Sequence, residues 1–242
     1  MFHGDELGKS PEFVFETGLT SAAPVSGKMD MGQRPSEGGL SSFSYYSHIA
    51  KNYAKYSDDT GFGYIYISTA PGGLNVGLSA KNQGKFDTEA EVAYMTGVHT
   101  KFILGALKMT ENPMQPVAFI QNKNHEPGYM KNNFKPESGD VLIIHSSFPK
   151  QSNTITTTEN MLKLTNVDTG IVDYYNTTPN IRKNGLNQRY KIEVVSPQLE
   201  TLNVSGWYMN GVKANLDSSQ VEIRLSEYAC DSLLIIEPIF SK

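Results

Sequence analysis

The feature that most constrains the fold is a series of short apolar segments separated by turn-forming residues. "GYIYIST", "KFILGALKM", "PVAFIQN" and "GDVLIIH" follow one another along the chain. They are rich in β-branched and aromatic residues, and segments of this length predict strands rather than long helices. These stretches, and the later "LLIIEPIF", are also far too short to cross a bilayer as helices, so no membrane span is predicted.

Two helices are predicted among these strands. In "SPEFVFETGL", Ser10 is placed to cap a helix, Pro11 fits its first position, and Gly18 is placed to end it. The residues expected to face a core are Phe13, Val14 and Leu19. The second helix is predicted in "YYSHIAKNYAKYS", where apolar residues recur at helical spacing.

A change in composition divides the chain. The segment "KQSNTITTTEN", residues 150–160, is polar and has no apolar period, which is typical of a linker. The predicted domains are therefore residues 1–149 and 161–242. The second contains "YKIEVV", "TLNVSGWYMNGVKA", "QVEIRLS" and "LLIIEPIF", which predict a small β-sandwich or a β extension of the first sheet.

Charge and cysteine content exclude several classes of partner. The formal charge of −4 and the pI of about 5.8 give no general attraction to nucleic acid, so nucleic acid is not a predicted partner. The single Cys230 cannot form an internal disulfide, and the histidines show no spacing suited to a metal site. The start, "MFHGDELGKS", has no signal-peptide pattern, so we expect a processed protein or a domain of a larger polypeptide.

Two glutamates stand at the start of an apolar run in "FDTEAEVAYMTGV". By itself, the pair Glu89 and Glu91 could be the polar face of an ordinary strand. However, it follows "YIYISTAPGGLNV" and a short polar loop. This order resembles the catalytic A subunits of the mono-ADP-ribosyltransferase toxins, namely cholera toxin, heat-labile enterotoxin and pertussis toxin. Those proteins have an aromatic-isoleucine strand, a Thr-Ala-Pro turn, an Asn-Val pair, a loop and then Glu-x-Glu-Val.

The first strand of that family carries an aromatic-Arg-x-Asp motif. Here "MFHGDEL" supplies Phe2, Gly4 and Asp5 in matching order, with His3 in place of the Arg. The resemblance implies that His3, Gly4 and Asp5 contribute to NAD binding. A histidine can donate a hydrogen bond to a ribose hydroxyl or a phosphate oxygen. It is not a permanent cation, however, and it cannot form the bidentate contacts of Arg, so weaker or pH-dependent NAD binding is expected.

The family's second motif is a Ser-Thr-Ser strand that leads into a helix. "GLSSFSYYSHIAKNYAK" provides Ser41 and Ser42 about fifty residues before Glu91, with Phe43 where the last Ser of the motif would be. The resemblance implies that Ser41 hydrogen-bonds Glu91 and that both serines contribute to NAD binding. Tyr46, which follows closely, is a candidate to stack on nicotinamide; a helix face packed into the core is the alternative.

The resemblance implies both a fold and a reaction. The fold is α+β, with two small facing β-sheets and flanking helices. A β-rich C-terminal region follows, and we expect it to be an accessory or target-binding domain. The reaction transfers ADP-ribose from NAD, the co-substrate, to a host target protein and releases nicotinamide. Glu91 would be the catalytic residue, Glu89 would orient and help to deprotonate an arginine acceptor, and the loop bearing Phe86 would contact the protein substrate.

The resemblance further implies a toxin that is secreted or delivered into a host cell, with a delivery subunit or a larger parent polypeptide as a further partner. Three alternatives remain open. The first is a non-catalytic module that binds a host protein or glycan, which the changes at His3 and Phe43 favour. The second is an NAD glycohydrolase, and the third is an enzyme that modifies a base or a non-arginine side chain.

Overall fold

A computed structural model describes the following parts of the chain: residues 1–5, 8–20, 40–54, 61–76, 90–95, 97–111, 114–126, 140–146, 160–175, 180–182, 185–216 and 221–240. The chain divides into two compact units, Met1–Asn133 and Phe134–Lys242.

The first unit contains an antiparallel sheet and two helices among its described residues. The strands are β1 (Phe2–Gly4), β2 (Leu40–Ser44), β3 (Gly63–Ser68), β4 (Leu74–Asn75), β5 (Glu91–Met95), β6 (Ile103–Met109) and β7 (Pro116–Gln121). They pair in the order β4-β5-β2-β1-β3-β6-β7. The helices are α1 (Pro11–Thr17) and α2 (Ser47–Tyr53), and a 3₁₀ turn covers Thr100–Phe102.

Strand β1 connects the two halves of this sheet. It pairs with β3 over its whole length, whereas its pairing with β2 is the single match Phe2↔Ser44. The described strands therefore form one hydrogen-bonded sheet. The mixture of strands with two helices agrees with the predicted α+β class, but a facing arrangement of two separate sheets stays a prediction.

Helix α1 begins and ends where its sequence signals predict. The hydroxyl of Ser10 accepts a hydrogen bond from the backbone N–H of Phe13, Pro11 is the first helical residue, and Gly18 follows the last turn with φ of 81°. Val14 is fully buried, but Phe13 is 49% exposed, so its predicted core position is wrong. Neighbouring residues on a helix differ by about 100° in direction, so when Val14 faces the core Phe13 faces solvent.

The second unit is formed by strands, which make two sheets around one core. Its strands are β8 (Val141–His145), β9 (Met161–Asn166), β10 (Val172–Tyr175), β11 (Asn180–Arg182), β12 (Arg189–Val195), β13 (Val204–Met209), β14 (Val212–Lys213), β15 (Val221–Arg224) and β16 (Leu233–Phe240). The orders are β10-β9-β12-β15 and β11-β8-β16-β13-β14. Both sheets contribute to a core that includes the fully buried Trp207, as in the predicted sandwich.

The division between the units differs from the predicted boundary at residue 149. Strand β8 was expected to end the first domain, but it pairs in parallel with β16, from Leu142↔Leu233 to His145↔Ile236, and so belongs to the second unit. Local composition cannot reveal this, because the partner strand lies far along the chain. The predicted linker at residues 150–160 lies, except for Asn160, outside the described residues.

Candidate functional site

Glu91 and Ser42 come together where β2 and β5 pair. The register places Ser44 opposite Glu91 and Ser42 opposite Ala93. Ser42 is thus the diagonal neighbour of Glu91 on the same face, within reach of a side-chain contact. The Ser42 hydroxyl donates a hydrogen bond to Oε1 of Glu91, across 49 positions of sequence. This contact fixes the direction of a half-buried carboxylate at the beginning of β5.

Ser41 does not make the contact with Glu91 that was expected. Its side chain is buried and its hydroxyl donates to the carbonyl oxygen of Leu19 at 3.4 Å. Successive residues of a strand point to opposite faces, so Ser41 and Ser42 cannot both face Glu91. The hydroxyl that contacts Glu91 is therefore that of Ser42, one residue later than expected.

In this corrected register, the motif consists of Ser42, Phe43 and Ser44. Ser44 is a residue that the sequence analysis missed. Its hydroxyl accepts a hydrogen bond from the backbone N–H of Tyr46 at 3.0 Å, just before α2 begins. This is a local turn contact and not a helix cap, because the N-cap position belongs to Tyr46. Serine often accepts a hydrogen bond from the N–H two residues later, and this tendency could have singled out Ser44.

Phe43 occupies the middle of the motif and is part of the core. It is 2% exposed, and its ring centroid lies 5.3 Å from that of Tyr94, edge to face. The ring of His3 lies 5.1 Å away on its other side. Phe43 thus fixes β2 between its two neighbouring strands, and burial raises the pKa of Tyr94 to about 12. The aromatic residue at this position has a packing function.

His3 contacts the main chain of the motif. Its Nδ1 lies 2.6 Å from the carbonyl oxygen of Ser42. A carbonyl oxygen can only accept, so Nδ1 carries the proton and donates it. No contact with a ligand is implied by this geometry, and NAD binding by His3 stays a prediction.

Gly4 and Asp5, two other predicted NAD-binding residues, have structural contacts. A Cβ atom on Gly4 would collide with the carbonyl oxygen of Ala50, so the glycine allows α2 to pack directly on β1. Asp5 is 3% exposed, its carboxylate accepts a hydrogen bond from the backbone N–H of Lys9, and its own N–H donates to the carbonyl oxygen of Tyr64 at 3.2 Å. These contacts explain both residues without a ligand, and their part in NAD binding stays a prediction.

Tyr46 stands at the N-cap position of α2. It is half-buried, and its ring centroid lies 5.4 Å from that of His48. Stacking on nicotinamide stays a prediction for this residue.

Glu89 and Phe86 lie outside the described residues, so their predicted roles stay predictions. The residue that follows Glu89 is not in the extended conformation of a strand. Ala90 has φ of 44°, in the left-handed region, and its carbonyl oxygen accepts a hydrogen bond from the N–H of Tyr45 at 3.3 Å. Side chains alternate only along extended backbone, so the spacing of two residues does not place Glu89 and Glu91 on one side.

The described residues contain neither a candidate metal cluster nor a helix that could span a membrane. In that part of the chain, no cluster of three or more His, Cys, Asp or Glu could hold a metal ion. Its helices also include none that is long and apolar enough to cross a membrane.

The first unit is similar to known proteins over most of its length. Residues 7–125 match the family model described as Scabin-like. None of the curated proteins matches this chain.

The following three of the matching solved structures each cover about half of this chain. A variant of the Scabin toxin from Streptomyces scabies is 25% identical, with 52% of this chain and 75% of that chain covered and a TM-score of 0.44. The Scabin toxin in complex with NADH is 24% identical, with 52% and 74% covered and a TM-score of 0.44. A guanine-specific ADP-ribosyltransferase is 23% identical, with 52% and 77% covered and a TM-score of 0.43.

The family match is confined to the first unit. The matched region, residues 7–125, includes Ser42 and Glu91 and ends just before the second unit begins. A specific relationship to the cholera or pertussis toxins is not shown. The first unit is thus similar, over residues 7–125, to the Scabin-like family model.

Proposed function

We propose that the first unit is an NAD-dependent mono-ADP-ribosyltransferase of the toxin or effector type, with Glu91 as its catalytic residue. The observation that carries the proposal is the hydrogen bond from Ser42 to Glu91. It holds a carboxylate in one orientation at the beginning of β5, inside the region that matches the Scabin-like family model. NAD is the co-substrate, and the reaction releases nicotinamide.

The chemistry requires a fixed negative charge. The bond between nicotinamide and the ribose breaks with its electron pair leaving on nicotinamide, so positive charge develops on the ribose. A carboxylate held beside that ribose is worth more in the transition state than in the ground state, which is the condition for a faster reaction. The acceptor then bonds to the ribose carbon and loses a proton. Ser42 would keep Glu91 in the productive rotamer.

The group that accepts the ADP-ribose is either a protein side chain or a base. An arginine of a host protein was inferred from the presence of Glu89, which lies outside the described residues. The family match does not support arginine in particular. One structural neighbour is described as guanine-specific, so a guanine base is the acceptor to test beside a protein side chain.

The second unit is proposed to be an accessory or target-binding domain, and the protein to be secreted or delivered into a host cell. The first statement is supported by the hydrophobic core around Trp207, whose members all lie in the second unit.

The proposal is tested with the full chain and NAD labelled in its adenylate part. Labelled product is sought in a host-cell protein lysate and, separately, on guanine-containing DNA, while nicotinamide release is measured in both. We expect Glu91→Gln to lower nicotinamide release by about 10²-fold or more, since one preorganised electrostatic group contributes about that much. The exposed Glu111, in the same unit, provides the matched control Glu111→Gln, which should leave the rate unchanged.

The outcomes separate the alternatives. Label on protein or on DNA identifies the acceptor class. Nicotinamide release without label in either sample shows an NAD glycohydrolase. If the parent protein releases no nicotinamide at any concentration, the enzymatic proposal is wrong, and a non-catalytic module that binds a host protein or glycan replaces it.

A further inference from the structure

Strands β1 and β2 pair at only one position. The two strands share the pair Phe2↔Ser44, and the next matches of an antiparallel ladder, His3 with Phe43 and Gly4 with Ser42, are not formed. The carbonyl oxygen of Ser42 is therefore not in the ladder with β1. A buried or half-buried carbonyl needs a hydrogen-bond donor, and its loss costs about 1–3 kcal/mol.

The imidazole of His3 supplies that donor. Nδ1–H of His3 is 2.6 Å from the carbonyl oxygen of Ser42. The ring is also held from the side, because its centroid lies 5.1 Å from that of the buried Phe43. These two contacts fix both the direction and the tautomer of the ring, since a hydrogen bond to a carbonyl requires the proton on Nδ1.

The same serine holds Glu91. Its carbonyl oxygen accepts from His3, and its hydroxyl donates to Oε1 of Glu91. The main chain at Ser42 determines where the hydroxyl lies, and the hydroxyl determines the rotamer of the carboxylate. A contact chain thus runs from β1 through β2 to β5.

We propose that His3 is a positioning residue, whose Nδ1–H replaces a sheet hydrogen bond at Ser42 and thereby orients the carboxylate of Glu91. The inference rests on the proposed function for its catalytic consequence. It assigns to His3 the support of Ser42 in place of a charged contact with NAD. A neutral donor is sufficient for this role, so a permanent cation at position 3 is not needed.

Two substitutions distinguish the effect of the Nδ1–H donor of His3 from the effect of its ring. His3→Asn keeps an N–H donor near the position of Nδ1, and His3→Phe keeps a ring against Phe43 but removes the donor. Nicotinamide release is measured with kcat and KM for NAD resolved separately, and thermal unfolding is followed in parallel. We expect His3→Asn to keep kcat within about threefold of the parent and His3→Phe to lower it by about tenfold or more, with KM little changed.

A double-variant cycle tests the route through Ser42. In a Ser42→Ala background the hydroxyl is already gone, so His3→Phe should cause much less than its separate loss of kcat. Independent, multiplicative losses would contradict the proposal. A raised KM for NAD with an unchanged kcat would also contradict it, because that pattern indicates a direct contact with the co-substrate.

A spectroscopic measurement is independent of activity. ¹⁵N NMR of the imidazole in the full chain should show the proton of neutral His3 on Nδ1. The Nε2–H tautomer would overturn the inference whether or not the protein turns over NAD. If the tautomer is as expected but the parent releases no nicotinamide, the proposed function fails while the contact of His3 with Ser42 stands, and the catalytic consequence is lost.

Discussion

The two units hold a glutamate in different ways, and the difference separates a structural carboxylate from a candidate catalytic one. In the second unit, Glu193 has a side chain that is 4% exposed and lies 3.1 Å from Nζ of Lys163 and 3.4 Å from Nζ of Lys191. In the first unit, the half-buried Glu91 accepts a hydrogen bond from the hydroxyl of Ser42. Two ammonium groups offset the charge of Glu193, and a hydroxyl is among the groups that direct the carboxylate of Glu91.

The two units also differ in how they bury a histidine. His145 is 0% exposed within the second unit, and burial lowers its pKa to about 4. His3 is half-buried and donates to a main-chain carbonyl in the first unit. The second unit therefore buries a titratable group whose charged form it does not accommodate. This predicts that the two units respond differently to acid.

Acid should produce the largest effect on the second unit. The pKa of His145 in the folded state, about 4, lies below the ordinary value of 6.5, so the unfolded chain binds the proton more readily. Folding therefore favours the neutral form of His145. The second unit has its full stability above pH 6.5 and loses this contribution as the pH falls from 6.5 towards 4. The loss should reach about 3 kcal/mol of unfolding free energy near pH 4.

Trp207, the single tryptophan, is buried in the second unit and reports this transition by fluorescence. His145→Gln should remove most of the pH dependence between 6.5 and 4. His99→Gln, at an exposed position of the first unit, is the control and should leave it unchanged. If Trp207 unfolds with the same denaturant midpoint at pH 7 and pH 4.5, burial of neutral His145 is not what limits acid stability.

Replacing Glu193 or Glu91 with glutamine should give the next largest effect. Glu193→Gln should lower the unfolding free energy of the second unit by about 1–2 kcal/mol, because two half-buried lysines lose their counter-charge and solvent screens part of the loss. It should leave nicotinamide release unchanged. Glu91→Gln should show the reverse pattern. Chemical denaturation and the NAD assay on both variants check this. Equal losses of stability in the two variants would contradict the assignment of a structural role to Glu193 and a catalytic role to Glu91.

The two lysines give the smallest effect. Lys163 is nearer to Glu193 and less exposed than Lys191, with 27% against 35% of its side chain accessible. Lys163→Met should therefore destabilise the second unit by about 1 kcal/mol, and Lys191→Met by less. Denaturant midpoints rank the two variants, and a larger loss from Lys191→Met would show that distance and exposure do not order these pairs.

Local sequence signals predicted local structure well. Ser10, Pro11 and Gly18 placed both ends of α1, because a cap acts within a few residues. The strands around "GYIYIST" and "KFILGALKM" became β3 and β6. In contrast, β9 and β10 were missed although "MLKLTN" alternates and a turn follows, and β8 was assigned to the wrong unit because its partner β16 begins far along the chain.

The sequence motif singled out Glu91, and its catalytic role stays a prediction. Which of Ser41 and Ser42 contacts Glu91 depends on the strand register, because a shift of one residue turns every side chain to the other face of the sheet. The left-handed φ at Ala90 could not be predicted either, because alanine is not a residue type that favours this region. The contact of His3 with the carbonyl of Ser42 joins residues 39 positions apart and depends on where β1 leaves β2.

The central claim is that a carboxylate of Glu91 held by Ser42 acts on NAD, and the adjacent serines test it most directly. Nicotinamide release under single-turnover conditions should fall about tenfold or more in Ser42→Ala, because a hydrogen bond to a charged group contributes about 1.5–3 kcal/mol. Ser41→Ala, whose hydroxyl contacts Leu19, should stay within about twofold of the parent when both variants are folded. A loss in Ser41→Ala with a normal rate in Ser42→Ala would contradict the account.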